Sequence, residues 1–230
     1  MVPTVLEAGD VYSRAMDLTE ALYTTRAMRR TKPDPLPQDA AARMVDAAIR
    51  APSGSNMQAW RILLIEDPEQ RAALGPLYRS AYATLQSTVY AGARERAEAA
   101  RAEGMLRVMR SSDWLAEHFG EAPLIALFYD RNDESGSSIY PAVWSFMLAA
   151  RGMGIGSALT TILGAFQEEQ VAQVIGVPPN KGWKLRAAVP CGFPLGRWGL
   201  AKRKPAHNVA YVDRWGEAPS WTVEEPYWSD

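Results

Sequence analysis

The feature that most constrains the fold is a polar bend between a predicted helix and a predicted strand. Pro52 has no amide hydrogen and disfavours helical geometry at Ala51, so the preceding helix must end there. We call residues 52–58 the elbow. It combines short side chains that donate and accept hydrogen bonds with a glycine that permits close backbone approach: Pro52, Ser53, Gly54, Ser55, Asn56 and Gln58. Such a surface suits a planar heteroaromatic ligand, although an ordinary loop whose polar groups satisfy each other is an equally good interpretation.

Hydrophobic periodicity predicts a mixture of helices and strands along the rest of the chain. Helices are predicted from Asp17, with Asp17 or Thr19 as the cap, from about Gln38 to the elbow, through 69–118, after the loop 131–138, and over 167–175. Strands are predicted at 61–66, 122–129, 157–162 and 184–192, and the first of these is expected to be buried. Residues 1–16 are expected to form an arm or a short helix.

Length and charge narrow the class of protein. The 230 residues fit one domain, and the net charge of -1 gives no electrostatic reason to expect binding to nucleic acid or to an anionic membrane. No segment approaches the roughly 20 consecutive apolar residues of a membrane span. Cys191 is the single cysteine, and residues 1–10 lack a basic start followed by an apolar run. A cytoplasmic protein is the expectation.

Two basic segments are candidates for binding an anionic ligand. Arg26, Arg29 and Arg30 follow the end of the first predicted helix, and Lys202 and Arg203 lie in the tail. An arginine fork matches a phosphate bidentately, and each charge-assisted hydrogen bond contributes about 1.5 to 3 kcal/mol. Taken alone, such clusters are more often solvated surface.

The glycines at 152, 154 and 156 resemble a dinucleotide fingerprint only superficially. They follow a predicted helix and precede a predicted strand, which is the reverse of the order that places a pyrophosphate at a helix N-terminus. A helix C-cap and a tight turn are the better interpretation. His118 and His207 show no metal-ligand spacing, and no Ser-His-Asp context is present. The lack of a protein-based catalyst fits a reaction that a cofactor carries out.

Taken together, these segments resemble the nitroreductase family of flavoproteins. The elbow followed by Trp60 and an apolar strand is similar to one family signature, and residues 24–37 are similar to another. Thr25 and Ala27 stand where the family has arginine and serine. With the glycine segment 152–157 and Arg203 in the same order, the resemblance covers about residues 18–215.

The expected architecture is α+β, with a central, mainly antiparallel sheet flanked by helices, in a single domain over residues 1–230. The resemblance implies an intertwined homodimer with two FMN sites at its interface. Arg26 would contact the FMN phosphate or ribityl end, Arg29 would lie near N1 and O2 of the ring, and Arg203, helped by Lys202, would bind the phosphate. The elbow would come from the other subunit. The full set implied is Thr25, Arg26, Ala27, Arg29, Arg30, Pro52, Ser53, Gly54, Ser55, Asn56, Gln58, Leu163, Gly164, Lys202 and Arg203.

Leu163 and Gly164 match the family position whose backbone amide lies near flavin N5, where a glycine permits close approach. The implied reaction is a ping-pong hydride transfer through FMN from NADH or NADPH to a nitroaromatic or quinone-type acceptor. No catalytic side chain and no metal are implied. The alternatives are a specialised flavin reaction, namely dehalogenation, enone reduction or flavin fragmentation, and a flavin-binding protein without turnover.

Two further regions are expected to shape the site. Residues 69–118 match a variable region that often covers the substrate in the family, although a solvated helical insertion explains their aromatic and methionine residues equally well. The tail, residues 193–230, is rich in Pro, Trp and Tyr. An aromatic tail of that length is costly to leave in water, so it is expected to pack on a second subunit.

Overall fold

The fold is known from a computed structural model that describes residues 16–224. Residues 1–15, where an arm or a short helix was predicted, lie outside the described residues. So does Trp228 of the tail. The chain forms two compact units, Met1–Trp198 and Gly199–Asp230. Within residues 16–224, no helix is both long enough and apolar enough to cross a membrane.

The first unit alternates helices and strands. The helices are α1 Leu18–Thr24, α2 Ala40–Ala48, α3 Pro68–Ser87, α4 Ala93–Ala99, α5 Glu103–His118, α6 Ile139–Gly152, α7 Ile162–Phe166 and α8 Glu168–Ile175. The strands are β1 Trp60–Ile65, β2 Leu124–Asp130, β3 Gly156–Ser157 and β4 Lys184–Gly192. Short 3-10 turns occur at Gly54–Asn56 and Phe119–Glu121. Asp17 caps α1 by accepting hydrogen bonds from the amides of Thr19 and Glu20, as predicted.

The four strands form one antiparallel sheet in the order β1-β2-β4-β3. Trp60 pairs with Asp130 at one end of the sheet, and Gly156 pairs with Gly192 at the other. One apolar core lies between the sheet and helices α2 and α6, and a second lies between the sheet and helices α3, α5, α7 and α8. The predicted α+β class with a mainly antiparallel sheet is confirmed.

The prediction that the first strand is buried is wrong. β1 lies at the edge of the sheet, where Arg61 and Leu63 are exposed while Trp60 and Ile65 are buried. An edge strand has a neighbour on one side only, so its apolar run is not covered throughout.

The strand predicted at 157–162 is also shorter than expected, because Pro190 interrupts its ladder. β3 ends at Ser157, and Thr160 then makes a single bridge to Ala188. The N–H and C=O of Ala188 face Thr160, so residue 190 two positions later faces the same neighbour. Proline has no N–H to donate there. The chain turns into α7 instead, which places Leu163 and Gly164 in a helix.

The second unit holds little regular structure in its described part, residues 199–224, where one 3-10 turn is formed by Ala206–Asn208. Tyr211 and Trp215 contact each other with ring centroids 5.2 Å apart, yet Trp215 is 93% exposed. The packing of this tail on a second subunit stays a prediction.

Candidate functional site

The three clustered arginines lie on an extended segment that crosses the end of the sheet. We call residues 25–32 the arginine arm. Helix α1 ends at Thr24, and the arm then makes backbone hydrogen bonds from the Met28 amide to Ser157, from the Lys32 amide to Phe193, and from the Leu195 amide to Arg30. The arm is therefore fixed along its length by the backbone.

Two glycines allow the arm to lie this close to the sheet. A Cβ atom on Gly156 would lie 2.8 Å from the Cβ of Met28, and one on Gly192 would lie 2.8 Å from the Cβ of Thr31. Both distances are shorter than real Cβ contacts. The glycine pattern read as a turn therefore has a second role: Gly156 makes room for the arm, while Gly154 turns the chain at a φ of 73° after α6.

The arm presents positive charge without a carboxylate to neutralise it. Within residues 16–224, Arg26, Arg29 and Arg30 form no ion pair. Arg26 is exposed, and its Nη2 donates to the carbonyl of Arg197 at 2.6 Å. Thr25 behaves differently, since it is buried and its hydroxyl donates to the carbonyl of Ala21 at 2.6 Å. The arm can therefore bind an anion through its guanidinium groups, whereas the Thr25 hydroxyl is already used.

A buried tyrosine of α3 contacts the segment that leads into α7, and sequence reasoning did not single it out for this. The Tyr78 hydroxyl donates to the Oγ1 of Thr160 at 3.2 Å, and its ring stacks on Phe119 with centroids 4.0 Å apart. Burial raises the pKa of the Tyr78 hydroxyl, while the hydrogen bond to Thr160 and the nearby charge of Arg29 act in the opposite direction. Tyr78 therefore joins α3 to the segment before α7.

Gly164 is required by packing within the chain. A Cβ at this position would lie 1.9 Å from the carbonyl oxygen of Leu185, so the bare Cα faces the backbone of β4. Leu163 is fully buried. The glycine therefore lets α7 lie against the sheet, a reason that the sequence did not reveal.

The elbow is an exposed turn with an unusual backbone. Ser55, Asn56 and Gln58 all adopt positive φ angles, of 51°, 53° and 47°. Such left-handed conformations are uncommon for residues other than glycine and concentrate at functional sites. The Gln58 amide donates to the Oγ of Ser53 at 3.2 Å, and the Gln58 side chain donates to the Oδ1 of Asn56 at 3.0 Å. The elbow thus satisfies part of its polar groups internally, as the simpler interpretation of the sequence expected.

A loop after β2 supports the elbow from the side. The Gly54 amide donates to the Oγ of Ser138 at 3.2 Å. Asp133 organises that loop by accepting from the Ser138 amide at 2.8 Å, and hydrogen bonds of this kind hold the pKa of Asp133 well below its usual range. The elbow and loop 130–138 enclose a cleft of about 240 Å³.

The loop is tied in turn to the sheet. Arg186 of β4 donates through Nε to the Oδ1 of Asp130 at 2.7 Å and through Nη2 to the Asp133 carbonyl at 2.8 Å. Asp130 is only 2% exposed, and burial raises its pKa although the Arg186 bond opposes that shift. Its Oδ2 has no partner in the described part of the chain. None of these three residues was predicted to bear on the site.

The elbow and the arginine arm are separate within one chain. No hydrogen bond or ion pair among residues 16–224 joins them. Lys202 and Arg203 belong to the second unit, where Nη1 of Arg203 donates to the carbonyl of Lys202 at 2.9 Å. The same described residues contain no group of three or more His, Cys, Asp or Glu side chains that could hold a metal ion.

Known relatives of the chain carry several different activities in their names. The chain is 24% identical over 213 residues to the NADH dehydrogenase of Thermus thermophilus, covering 84% of this chain and 95% of that protein. It is 27% identical over 191 residues to the 5,6-dimethylbenzimidazole synthase of Rhodobacter capsulatus (77% and 83% covered). It is also 27% identical over 180 residues to the iodotyrosine deiodinase of Thermotoga neapolitana (77% and 87% covered).

Solved structures with the same fold include two nitroreductases. A nitroreductase with bound FMN from Desulfitobacterium hafniense superposes with a TM-score of 0.64 at 19% identity, covering 86% of this chain and all of that one. The FMN-dependent nitroreductase NfnB from Mycobacterium smegmatis, in complex with NADPH, gives a TM-score of 0.58 at 20% identity (85% and 96% covered).

The family comparison spans most of the first unit. The model of the Nitroreductase family matches residues 22–193, more than half of the chain. The matched segment contains the arginine arm, the elbow and α7, and it ends before Lys202 and Arg203. The chain belongs to the nitroreductase family.

Proposed function

We propose that this chain is an FMN-dependent oxidoreductase that uses NADH or NADPH to reduce a nitroaromatic or quinone-type acceptor, and that it works as a homodimer in the cytoplasm. The observation that carries the proposal is the arginine arm, whose backbone is held against the sheet and whose three guanidinium groups have no carboxylate to neutralise them in the described chain. Charge fixed in this way, within a nitroreductase-family fold, suits a phosphorylated cofactor.

The residues present fit FMN in their chemistry. In this proposal Arg26 binds the phosphate or ribityl end, with Lys202 and Arg203 as further phosphate contacts and Arg30 nearby on the arm. Arg29 lies beside the ring, where a cation stabilises negative charge at N1 and O2. Because the Thr25 hydroxyl donates to Ala21, Thr25 and its neighbour Ala27 would contribute through their backbone. When bound, FMN supplies the hydride-transfer chemistry that links NADH or NADPH to the acceptor.

The other contacts concern the ring itself. The backbone at Leu163 and Gly164 is proposed to lie near N5. This is compatible with the packing of Gly164, because its Cα faces β4 while the residue itself is only partly buried.

A second copy of the chain completes the proposed site. The elbow is exposed and lacks a hydrogen bond to the arm within one chain, so we propose that it reaches the cofactor held by the partner's arm. An exposed apolar surface near it supports this arrangement: Met57 is 63% exposed, and Tyr140 and Trp144, one helical turn apart on α6, are 37% and 40% exposed. Apolar groups of this size favour burial at an interface.

Helices α3 to α5 are proposed to shape the substrate pocket. The Tyr82 hydroxyl and the Arg94 guanidinium both bind the Asp113 carboxylate, each at 2.7 Å at the closest, so the three helices are joined. Exposed apolar side chains lie on or beside these helices, namely Val89, Tyr90, Met105 and Val108. They are suited to contact a planar apolar substrate.

The direct test is whether the purified protein carries the cofactor and turns over. It should be yellow, release FMN on denaturation, and oxidise NADH or NADPH when nitrofurazone or a quinone is added. Colourless protein that does not take up added FMN would refute the proposal. Bound FMN without oxidation of either nucleotide would favour a binding protein instead.

The two proposed roles of arginine predict different kinetic effects. Arg29→Ala should slow flavin reduction more than it weakens FMN binding, because its charge acts on the ring. Arg203→Ala should weaken FMN binding more, because its charge acts on the phosphate. With about 1.5 to 3 kcal/mol for each charged hydrogen bond, each main effect should be about 10- to 100-fold.

Stopped-flow reduction and FMN titration measure the two quantities separately. Arg50→Ala is the control, because Arg50 is an exposed arginine that pairs with Asp46 at 2.6 Å on the α2 side of the elbow. Equal effects of Arg29→Ala and Arg203→Ala on both quantities would contradict the assignment.

A specialised flavin reaction is the second candidate. The named relatives include a deiodinase and a 5,6-dimethylbenzimidazole synthase at identities no lower than that of the NADH dehydrogenase. Assays with a halotyrosine, with an enone, and with reduced FMN under oxygen would separate dehalogenation, enone reduction and flavin fragmentation from nitro or quinone reduction. Turnover confined to one of these three would favour the second candidate.

A further inference from the structure

The conformation of the elbow needs support from outside itself. Three of its residues, Ser55, Asn56 and Gln58, hold left-handed backbone angles that residues with a Cβ rarely adopt. Such conformations persist only where the surroundings impose them. In the described part of the chain, one hydrogen bond ties residues 52–58 to another segment, and it runs from the Gly54 amide to the Oγ of Ser138.

The Ser138 hydroxyl is free to serve the elbow because it does not cap its own helix. Ser138 occupies the N-cap position of α6, where a serine side chain ordinarily accepts a hydrogen bond from the first turn. The Ser138 side chain makes no such bond, and its Oγ accepts from Gly54 instead. The hydroxyl therefore acts between segments rather than within α6.

Ser138 is itself held in place from the centre of the sheet. Its amide donates to the Oδ2 of Asp133, and the Asp133 carbonyl accepts from Arg186. Arg186 is fixed by Asp130, which is buried at the end of β2. A continuous series of contacts thus runs from two sheet strands to the Gly54 amide.

The same bond determines which side of Gly54 faces outward. Its N–H points to Ser138, and in the described part of the chain no atom beyond its two sequence neighbours lies within 4 Å of the place where a Cβ would stand. Loss of the bond would free the Gly54 peptide to turn, and the neighbouring left-handed residues would lose their outside constraint.

We infer that Ser138, supported by Asp133 and Arg186, is a positioning residue that presents the elbow to the flavin without touching the flavin itself. This inference rests on the proposed function, because it assumes that the elbow contacts FMN. It adds to that proposal a residue outside the arm, the elbow and α7.

The test compares serines of the same loop. Ser138→Ala removes the acceptor, and Ser138→Thr keeps it. Ser135→Ala and Ser137→Ala are the controls, because both hydroxyls donate to Asp133 and neither forms a hydrogen bond with the elbow. With one neutral hydrogen bond lost, Ser138→Ala should weaken FMN binding by about three- to tenfold and shift the visible absorption of bound flavin. Ser138→Thr should restore both properties, and the two controls should leave them unchanged.

Amide exchange tests the positioning without any flavin. In glycine-labelled protein, Ser138→Ala should speed exchange of the Gly54 amide by about three- to tenfold relative to wild type. Unchanged exchange, or equal effects from the two control serines, would overturn the inference. Faster exchange with unaltered FMN affinity and spectrum would overturn its link to the cofactor. Wild-type protein that binds no FMN would refute the proposed function and that link together, whereas the exchange result would still decide whether Ser138 holds the elbow.

Discussion

Replacing Gly164 with alanine tests how closely α7 packs on the sheet. Helix propensity alone predicts a gain, because alanine is favoured over glycine within a helix by about 1 kcal/mol. The structure predicts the opposite result. The new Cβ would lie 1.9 Å from the Leu185 carbonyl oxygen, about 1.5 Å short of ordinary van der Waals contact. The obstacle is the backbone of β4, which pairs with Tyr129 of β2 at Leu185, so it cannot rotate away as a side chain could.

The expected magnitude follows from these two opposing effects. Overpacking of a well-packed core costs about 1 to 3 kcal/mol, and an immovable neighbour places this substitution at the upper end. After the gain in propensity, a net loss of about 2 kcal/mol in the free energy of unfolding remains. For a chain of this size the melting temperature should fall by about 4 to 8 °C.

A second glycine in a helix provides the control. Gly104 lies in α5, and apart from the backbone of its own helix no described atom stands within 4 Å of a Cβ built there. Gly104→Ala should therefore stabilise the protein by about 0.4 to 1 kcal/mol. Urea unfolding of both variants measures the contrast. If Gly164→Ala proved as stable as wild type, or shifted in the same direction as Gly104→Ala, the packing of α7 described here would be wrong.

Two further predictions concern α1. Arg151 is 5% exposed, and its guanidinium donates to the Thr24 hydroxyl at 3.0 Å and to the Glu20 carboxylate at 3.3 Å. Arg151→Lys keeps the charge but loses the planar group that reaches both partners. It should therefore lower the free energy of unfolding, measured in urea, by about 1 to 3 kcal/mol. The amides of Glu20 and Thr19 lower the pKa of Asp17 below 3.8, so the stabilising effect of its carboxylate is present above that pH and is lost as the pH falls through the lowered pKa. The stability difference between wild type and Asp17→Asn should therefore change as unfolding is measured from about pH 5 to pH 2. A constant difference would contradict this.

The elements that the sequence predicted best are those whose signals are local. β4 was predicted at residues 184–192, which are its observed bounds, and most of it, residues 187–191, is an apolar run. The strand predicted at 157–162 failed because the residue that interrupts it, Pro190, lies far away along the chain. Periodicity also does not distinguish a central strand from an edge strand, so the exposure of β1 was not predictable.

In the candidate site, too, the contiguous segments were predictable from the sequence and the single supporting residues were not. The arginine arm and the elbow were recognisable because each is a contiguous segment with distinctive chemistry. Their supports are single residues brought together by the fold, such as Tyr78 beneath Thr160 and Ser138 beside Gly54. A signal did exist for Arg151, since a cation near the end of an otherwise apolar helix needs a partner, and the structure supplies Glu20 and the Trp198 ring at 4.2 Å.

The placement of glycine in the elbow is consistent with the proposed approach of a cofactor to this turn. A turn that required only left-handed angles would place glycine where φ is positive, yet the positive angles belong to Ser55, Asn56 and Gln58. Gly54 does not have a positive φ, and within residues 16–224 no atom beyond its two neighbours in sequence lies within 4 Å of a Cβ built there. Among the described residues, neither backbone geometry nor packing therefore explains its missing side chain. In the proposed site the cofactor would approach this exposed side of Gly54, beside the bond to Ser138.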